Sequence, residues 1–153
     1  MNRASIYTKV LGDLRLMLES EPDAIAIMAT VASELHQAFE HLTWTGFYRV
    51  TAPGLLTVGP YQGAHGCITI SFERGVCGAA ARLKKTQIVD DVDAFDGHIA
   101  CSSSTRSELV VPILNPAGET VAVLDLDSDQ PAAFGSADAA ALEPFCAWLG
   151  QRL

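Results

Sequence analysis

Glu108-Leu-Val-Val-Pro-Ile-Leu114, Asn115-Pro-Ala-Gly118 and Thr120-Val-Ala-Val-Leu-Asp-Leu-Asp127 follow one another with almost no residues between them. The first and last runs are aliphatic and rich in β-branched side chains. The middle four combine Asn, Pro and Gly, whose local backbone preferences favour a turn. The segment therefore predicts two successive strands folded back on each other. In the second strand Asp125 and Asp127 lie two apart, so both project from one face together with Val123. Ala122, Leu124 and Leu126 occupy the opposite, core-facing side. Glu108 opens the preceding strand, which makes three acids that can converge. Crowded carboxylates can bind an ammonium group, and mutual repulsion can raise one of them into the range of a general acid. A solvated strand end is the plain alternative for an Asp-x-Asp pair.

Upstream, Trp44 to Val50, Leu55 to Tyr61, Cys67 to Phe72 and Gln87 to Val89 also read as strands, with turns at Pro53-Gly54 and between Gly63 and Gly66. In the third run Ile68, Ile70 and Phe72 alternate with Cys67, Thr69 and Ser71, an arrangement that sets Cys67 on the face away from the isoleucines. Gly75 to Lys85 reads as a small-residue helix with Cys77 in its first turn and basic residues in its last. Two apolar stripes at helical spacing precede the strands: Ile6, Val10, Leu14 and Met17, widened by Tyr7, Leu11 and Leu18, and then Ile25, Met28, Ala32, Leu35 and Phe39. Ser136 is the expected cap of a last helix through Leu149, interrupted at Pro144. The order implies one α+β domain over residues 1–153. N-terminal helices occupy about 4–40, a largely antiparallel sheet with active-site loops about 43–128, and the C-terminal helix about 136–149.

The 153 residues suffice for a core without covalent staples, and 49% hydrophobic against 18% charged residues is the balance of a compact protein, not a disordered one. A net charge of −8 argues against sequence-independent nucleic-acid binding, which needs clustered Lys and Arg. The N-terminal residues lack the apolar core of a signal peptide, and no window has the length of a membrane span. A cytoplasmic location is therefore expected, where thiols are held reduced and disulfides are mostly transient.

The cysteines gain interest in that setting. Cys101 lies in a loop of small polar residues, Ala100 and Ser102 to Ser104, with Arg106 near enough in sequence to help stabilise a thiolate. The plain alternative is a free cysteine of no function. A thiol that gives up two electrons must be resolved by a second thiol, and Cys67 suits that role better than Cys77, which sits among alanines in a helix. Cys146 follows Phe145 in the apolar last helix and reads as core. His98 and Cys101 have metal-ligand spacing, and Cys67 and Cys77 could complete a tetrahedral zinc set, but no Cys-x-x-Cys knuckle supports it. Trp44 and Tyr48 share a strand face, where they either wall an apolar pocket or pack in the core. Asp90, Asp91, Asp93 and Asp96 read as an exposed acidic turn.

Trp44-Thr-Gly-Phe-Tyr48, Gly59-Pro-Tyr-Gln-Gly63, Gly75-Val-Cys-Gly78, Val89-Asp-Asp-Val92, Gly97-His-Ile-Ala-Cys101, Ser107-Glu108 with Val110-Val-Pro-Ile113, and Val123-Leu-Asp-Leu-Asp-Ser128 together resemble the free methionine-R-sulfoxide reductases, which are GAF-domain enzymes. The resemblance runs from about Ile6 to Leu149. It implies that Cys101 is the catalytic cysteine, Cys67 the resolving one, and Cys77 a third that can enter disulfide exchange. It further implies that Glu108, Asp125 and Asp127 hold the ammonium and sulfoxide groups of the substrate, while Trp44 and Tyr48 form the aromatic wall. Free methionine-(R)-sulfoxide as substrate, thioredoxin as external reductant, no bound cofactor or metal, and a homodimer complete the implied picture. A sensory GAF module that binds a small ligand without turnover is the main alternative, and a structural zinc protein a third.

Overall fold

A computed structural model describes residues Asn2–Leu153; Met1, the first residue of the expected domain, lies outside them. Helix α1 (Arg3–Met17) and helix α2 (Ala24–Ala38) lead into strands β1 (Trp44–Ala52), β2 (Leu55–Gly63) and β3 (Thr69–Ser71). Helix α3 (Gly75–Leu83) and strand β4 (Gln87–Val89) follow, then a 3-10 turn at Val92–Ala94, strands β5 (Ser107–Leu114) and β6 (Thr120–Ser128), and helix α4 (Ser136–Leu149). The strands form one sheet in the order β3-β2-β1-β6-β5-β4, with every neighbouring pair antiparallel. This is the α+β class that the strand and helix order implied.

Each end of the helical layer has a chemical cause. Asn2 accepts from Ser5 N at 2.9 Å and Asp23 from Ala26 N at 2.8 Å, each satisfying a donor that the first turn leaves free. The cap of α4 is Gly135, not Ser136. Asp138, three residues in, accepts from Gly135 N at 2.8 Å, the reach-back half of a capping box, and no serine hydroxyl caps the helix. Pro144 does not interrupt α4, which continues to Leu149 around the missing donor. Helices α1, α2 and α4 cover one face of the sheet, where Tyr7, Leu14, Ile27, Leu35, Phe47 and Leu124 belong to one large apolar core. Met17 and Ile25 leave that core and are exposed, near the turn between α1 and α2; the rest of the α1 stripe from Tyr7 to Leu18 is buried as expected, and Ile27 and Val31 join Met28, Ala32, Leu35 and Phe39 in the second.

Helix α3 covers part of the opposite face, over β5 and β6. Its approach is close: a Cβ on Gly78 would meet the Phe72 carbonyl oxygen at 2.9 Å, so only glycine fits there. The strand expected over Cys67 to Phe72 shrinks to three residues. Ile68 is 68% exposed and Cys67 lies in the preceding loop, so the alternation read from Cys67 onward fails before β3 begins. None of the described helices is long and apolar enough to cross a membrane.

Candidate active site

The registers of β1, β6 and β5 assemble the site. Asp127 pairs with Trp44 on one side and Glu108 on the other, and Asp125 with Gly46 and Val110. Residues directly opposite on antiparallel strands share a face, so Trp44, Asp127 and Glu108 form one row across the sheet. Gly46 leaves the next row open: a Cβ there would come within 2.7 Å of the Trp44 ring. The indole therefore lies over the gap, stacked on Tyr48 at 5.6 Å between centroids and on Tyr61 at 5.2 Å. Trp44 Nε1 donates to the Ala64 carbonyl at 2.9 Å, which ties the ring to the loop that carries Cys67.

These side chains surround a narrow, partly open pocket with a cavity volume of about 40 Å³. Trp44, Tyr48, Glu108, Asp125, Asp127, Cys77 and Cys101 all line it. The structure thus brings together seven of the eight residues singled out in the sequence. The eighth, Cys67, is joined to Cys101 by a disulfide across 34 residues of chain, with their Cα atoms 5.1 Å apart. Cys77 and Cys146 are free thiols and both are buried, Cys146 within the helical core as expected. With Cys67 and Cys101 bonded to each other, the zinc set of His98, Cys101, Cys67 and Cys77 is not formed.

Burial dominates the electrostatics. Glu108 and Asp125 are buried, and Asp127 is half-buried. Loss of hydration holds the carboxyl of Glu108 well above its ordinary range, and the nearby Asp125 and Asp127 charges push it further. Burial raises Asp125 to about 7, against opposing hydrogen bonds from Cys77 and Glu108. Asp127 is raised by burial and then by Asp125. The Cys77 thiol points at this cluster, 3.3 Å from Asp125 Oδ2 and 3.9 Å from Glu108 Oε1. Burial and those carboxylates push its pKa up, so Cys77 holds its proton. Asp125 Oδ1 is buried without a hydrogen-bond partner, an oxygen turned to no group of the protein.

Two expectations shift. Arg106 does not serve Cys101: its guanidinium pairs with Asp93 Oδ2 at 3.2 Å on the exposed side of the loop. Asp90, Asp91, Asp93 and Asp96 are exposed, as read. The sequence reading passed over His65, Gly66, Ile99 and Thr105, which also line the pocket, and considered His98 only as a metal ligand. Their placement depends on loops with no periodicity. The available hint for Ile99 and His98 was their position beside Cys101.

A six-stranded antiparallel sheet with helices on both faces, and a pocket on the side of α3, is the architecture of a GAF domain, and residues 3–153 match the GAF domain family. Among similar proteins, YtsP of Bacillus subtilis is 39% identical over 96% of this chain and 90% of its own. The free methionine-R-sulfoxide reductase of Saccharomyces cerevisiae is 36% identical over 83% of this chain and 74% of its own. The free methionine-R-sulfoxide reductase of Neisseria meningitidis, solved in complex with its substrate, superposes with a TM-score of 0.95 at 40% identity, covering 99% of this chain and 90% of that one. The chain belongs to the free methionine-R-sulfoxide reductase family of GAF domains.

Proposed function

We propose that this protein reduces free L-methionine-(R)-sulfoxide to methionine, with Cys101 as nucleophile, Cys67 as resolving thiol and thioredoxin as the external reductant. One observation carries the reading: the Cys67–Cys101 disulfide sits at a pocket whose interior holds three carboxyls with pKa values raised by burial, one with an unpartnered buried oxygen. The relatives named as such reductases support the same substrate class.

The reaction starts from the reduced protein. The free sulfoxide enters with its thioether arm against the stacked Trp44 and Tyr48 and its ammonium toward Asp125 and Asp127. Glu108, which keeps its proton because it is buried among other acids, donates a hydrogen bond to the sulfoxide oxygen and offsets the charge that develops there. Cys101 thiolate attacks the sulfoxide sulfur. The oxygen passes to the Cys101 sulfur, methionine leaves with the two electrons, and Cys101 is left as a sulfenic acid. Cys67 then displaces that hydroxyl, which leaves as water with one proton, and the Cys67–Cys101 disulfide forms. The sum is one sulfoxide and two thiols converted to one thioether, one disulfide and one water. An external dithiol restores the start.

The acids also account for a preference for the free amino acid. A methionine sulfoxide inside a peptide has no ammonium, and would leave buried carboxylates without a counter-charge. The deciding experiment is a thioredoxin-coupled NADPH assay with three substrates: the free R epimer, the free S epimer and an N-blocked R-sulfoxide. Turnover of the free R epimer alone is the expected result. Lack of turnover of all three, with dithiothreitol as reductant, would sink the proposal and leave a GAF module that binds its ligand unchanged.

A further inference from the structure

Three side chains of the pocket meet in a way that the sulfoxide chemistry does not require. Cys77 Sγ, one oxygen of Glu108 and one of Asp125 all lie within 4.8 Å of one another. They come from the first turn of α3, the start of β5 and the middle of β6, so regular elements hold them and not loops. A tetrahedral zinc ion with a Zn–S bond of about 2.3 Å and Zn–O bonds of about 2.0–2.2 Å sets its sulfur and oxygen ligands about 3.5 Å apart. The observed sulfur-to-oxygen separations, 3.3 and 3.9 Å, bracket that edge. All three residues are buried, and Asp125, whose Oδ2 faces Cys77, carries a second oxygen, Oδ1, with no hydrogen-bond partner.

We propose that Cys77, Glu108 and Asp125 form a binding site for one thiophilic divalent cation of the zinc class, which acts as a reversible inhibitor and not as a cofactor. The mixed thiolate and carboxylate set selects this class. Mg²⁺ and Ca²⁺ favour all-oxygen sites, whereas one sulfur and two oxygens suit Zn²⁺ and Co²⁺. All three residues line the pocket, so a fourth ligand would come from that side. Binding replaces the Cys77 proton and at least one carboxyl proton by the metal, so affinity rises with pH and protons are released. The inhibition, though not the binding, rests on the proposed reading of the pocket: a cation on Asp125 and Glu108 takes the carboxylates that would hold the ammonium and protonate the oxygen.

The disulfide supplies a clean test. With Cys67 and Cys101 oxidised, the remaining free thiols are Cys77 and the core residue Cys146. Chelator-stripped, oxidised full-length protein is titrated with Zn²⁺ alone by calorimetry in two buffers of different ionisation heat. A parallel titration with Co²⁺ is followed by absorbance. The expected result is one equivalent bound, proton release, and a thiolate-to-cobalt charge-transfer band. Cys77→Ala and Asp125→Asn should each weaken binding at least about 100-fold, since losing even an outer partner of a metal ligand costs 10–100-fold. Cys146→Ala should leave it unchanged. No binding, binding that survives Cys77→Ala within threefold, or binding that appears only once the disulfide is reduced would each overturn the proposal. None of these readouts uses turnover. A chain that binds zinc but reduces no sulfoxide refutes the enzymatic reading alone, and a competent reductase that ignores zinc refutes this one alone.

Discussion

The two faces of the sheet are built from the same strands and do different work. Along β6, Ala122, Leu124 and Leu126 enter a core closed by α1, α2 and α4, while Val123 and Asp125 enter the side covered by α3. On the helical side the buried groups are almost all apolar, and burial is pure gain from removing hydrocarbon from water. On the pocket side Glu108 and Asp125 are buried next to each other and to a thiol, where the same burial works against their charged forms. One face stores stability and the other gives some of it up to hold reactive groups in place. Substitutions on the two faces should therefore separate activity from stability.

The largest separation is expected at Cys101. Replacing it with serine removes the nucleophile from an exposed-to-half-buried loop position and leaves the helical core untouched. Turnover of the free sulfoxide should fall about 10³-fold or more, with the melting temperature of the reduced protein unchanged. Retained turnover would move the nucleophile to Cys77 or Cys67. The converse substitution is Leu124→Ala, next to Asp125 in sequence but on the opposite side of β6. Leu124 is fully buried, so its truncation should cost about 2–5 kcal/mol in urea unfolding. The kcat of the protein that remains folded should hold. A loss of kcat larger than the loss of folded fraction would mean that the two faces are mechanically coupled through the strand.

The Leu124 substitution was within reach of the sequence, because β5, β6 and the turn between them carry a strong alternating pattern and an Asn-Pro-Ala-Gly break. The alternation gave the facing of Leu124 and Asp125 directly. Other positions were not legible for physical reasons. Ile68 is aliphatic and in phase with Ile70, yet exposed, since β3 is an edge strand of three residues and its loop is held by tertiary contacts. Ile25 and Met17 fit a helical stripe but stand at the facing ends of α1 and α2, where the stripe runs out into solvent. The meeting of Cys67 with Cys101 depends on two loops; the sequence favoured Cys67 over Cys77 as the partner because Cys77 sits among alanines in a helix, and the family resemblance implied the same pairing. The place of Cys77 against Asp125 required knowing how closely Gly78 lets α3 approach the sheet.

Asp125 sharpens the comparison because it bears on both quantities. Its carboxyl prefers to be protonated in the fold, with a pKa of about 7 against about 4 in an unfolded chain. A raised folded value means that its contribution to stability is complete below pH 4 and is lost as pH rises through 7. Asp125→Asn removes that dependence. The variant should be more stable than the parent by about 1–3 kcal/mol at pH 8, with the difference shrinking toward pH 4. Its KM for the free sulfoxide should rise about 10–100-fold, the range for a lost hydrogen bond to a charged group. Chemical denaturation at pH 5, 7 and 8 beside a KM measurement checks both signs at once. An Asn variant that is less stable at pH 8 would mean that a cation, and not a proton, offsets the charge of Asp125.

Arg106 should produce the smallest effect, and for that reason it tests the boundary of the site. Its charge lies five residues from Cys101, just past the serine-rich run, and from the sequence alone it is the natural partner for a thiolate. The folded loop sends it the other way, to Asp93, where both side chains are more than half exposed. Ion pairs of that kind are screened by water and contribute little. Arg106→Ala should therefore change stability by no more than about 0.5 kcal/mol and kcat/KM by less than about twofold. Its rate-against-pH profile should coincide with that of the parent. A profile displaced toward higher pH, with kcat falling at neutral pH, would mean that reduction of the disulfide lets the loop carry Arg106 back to Cys101. The loop would then belong to the catalytic apparatus in one redox state and to the surface in the other.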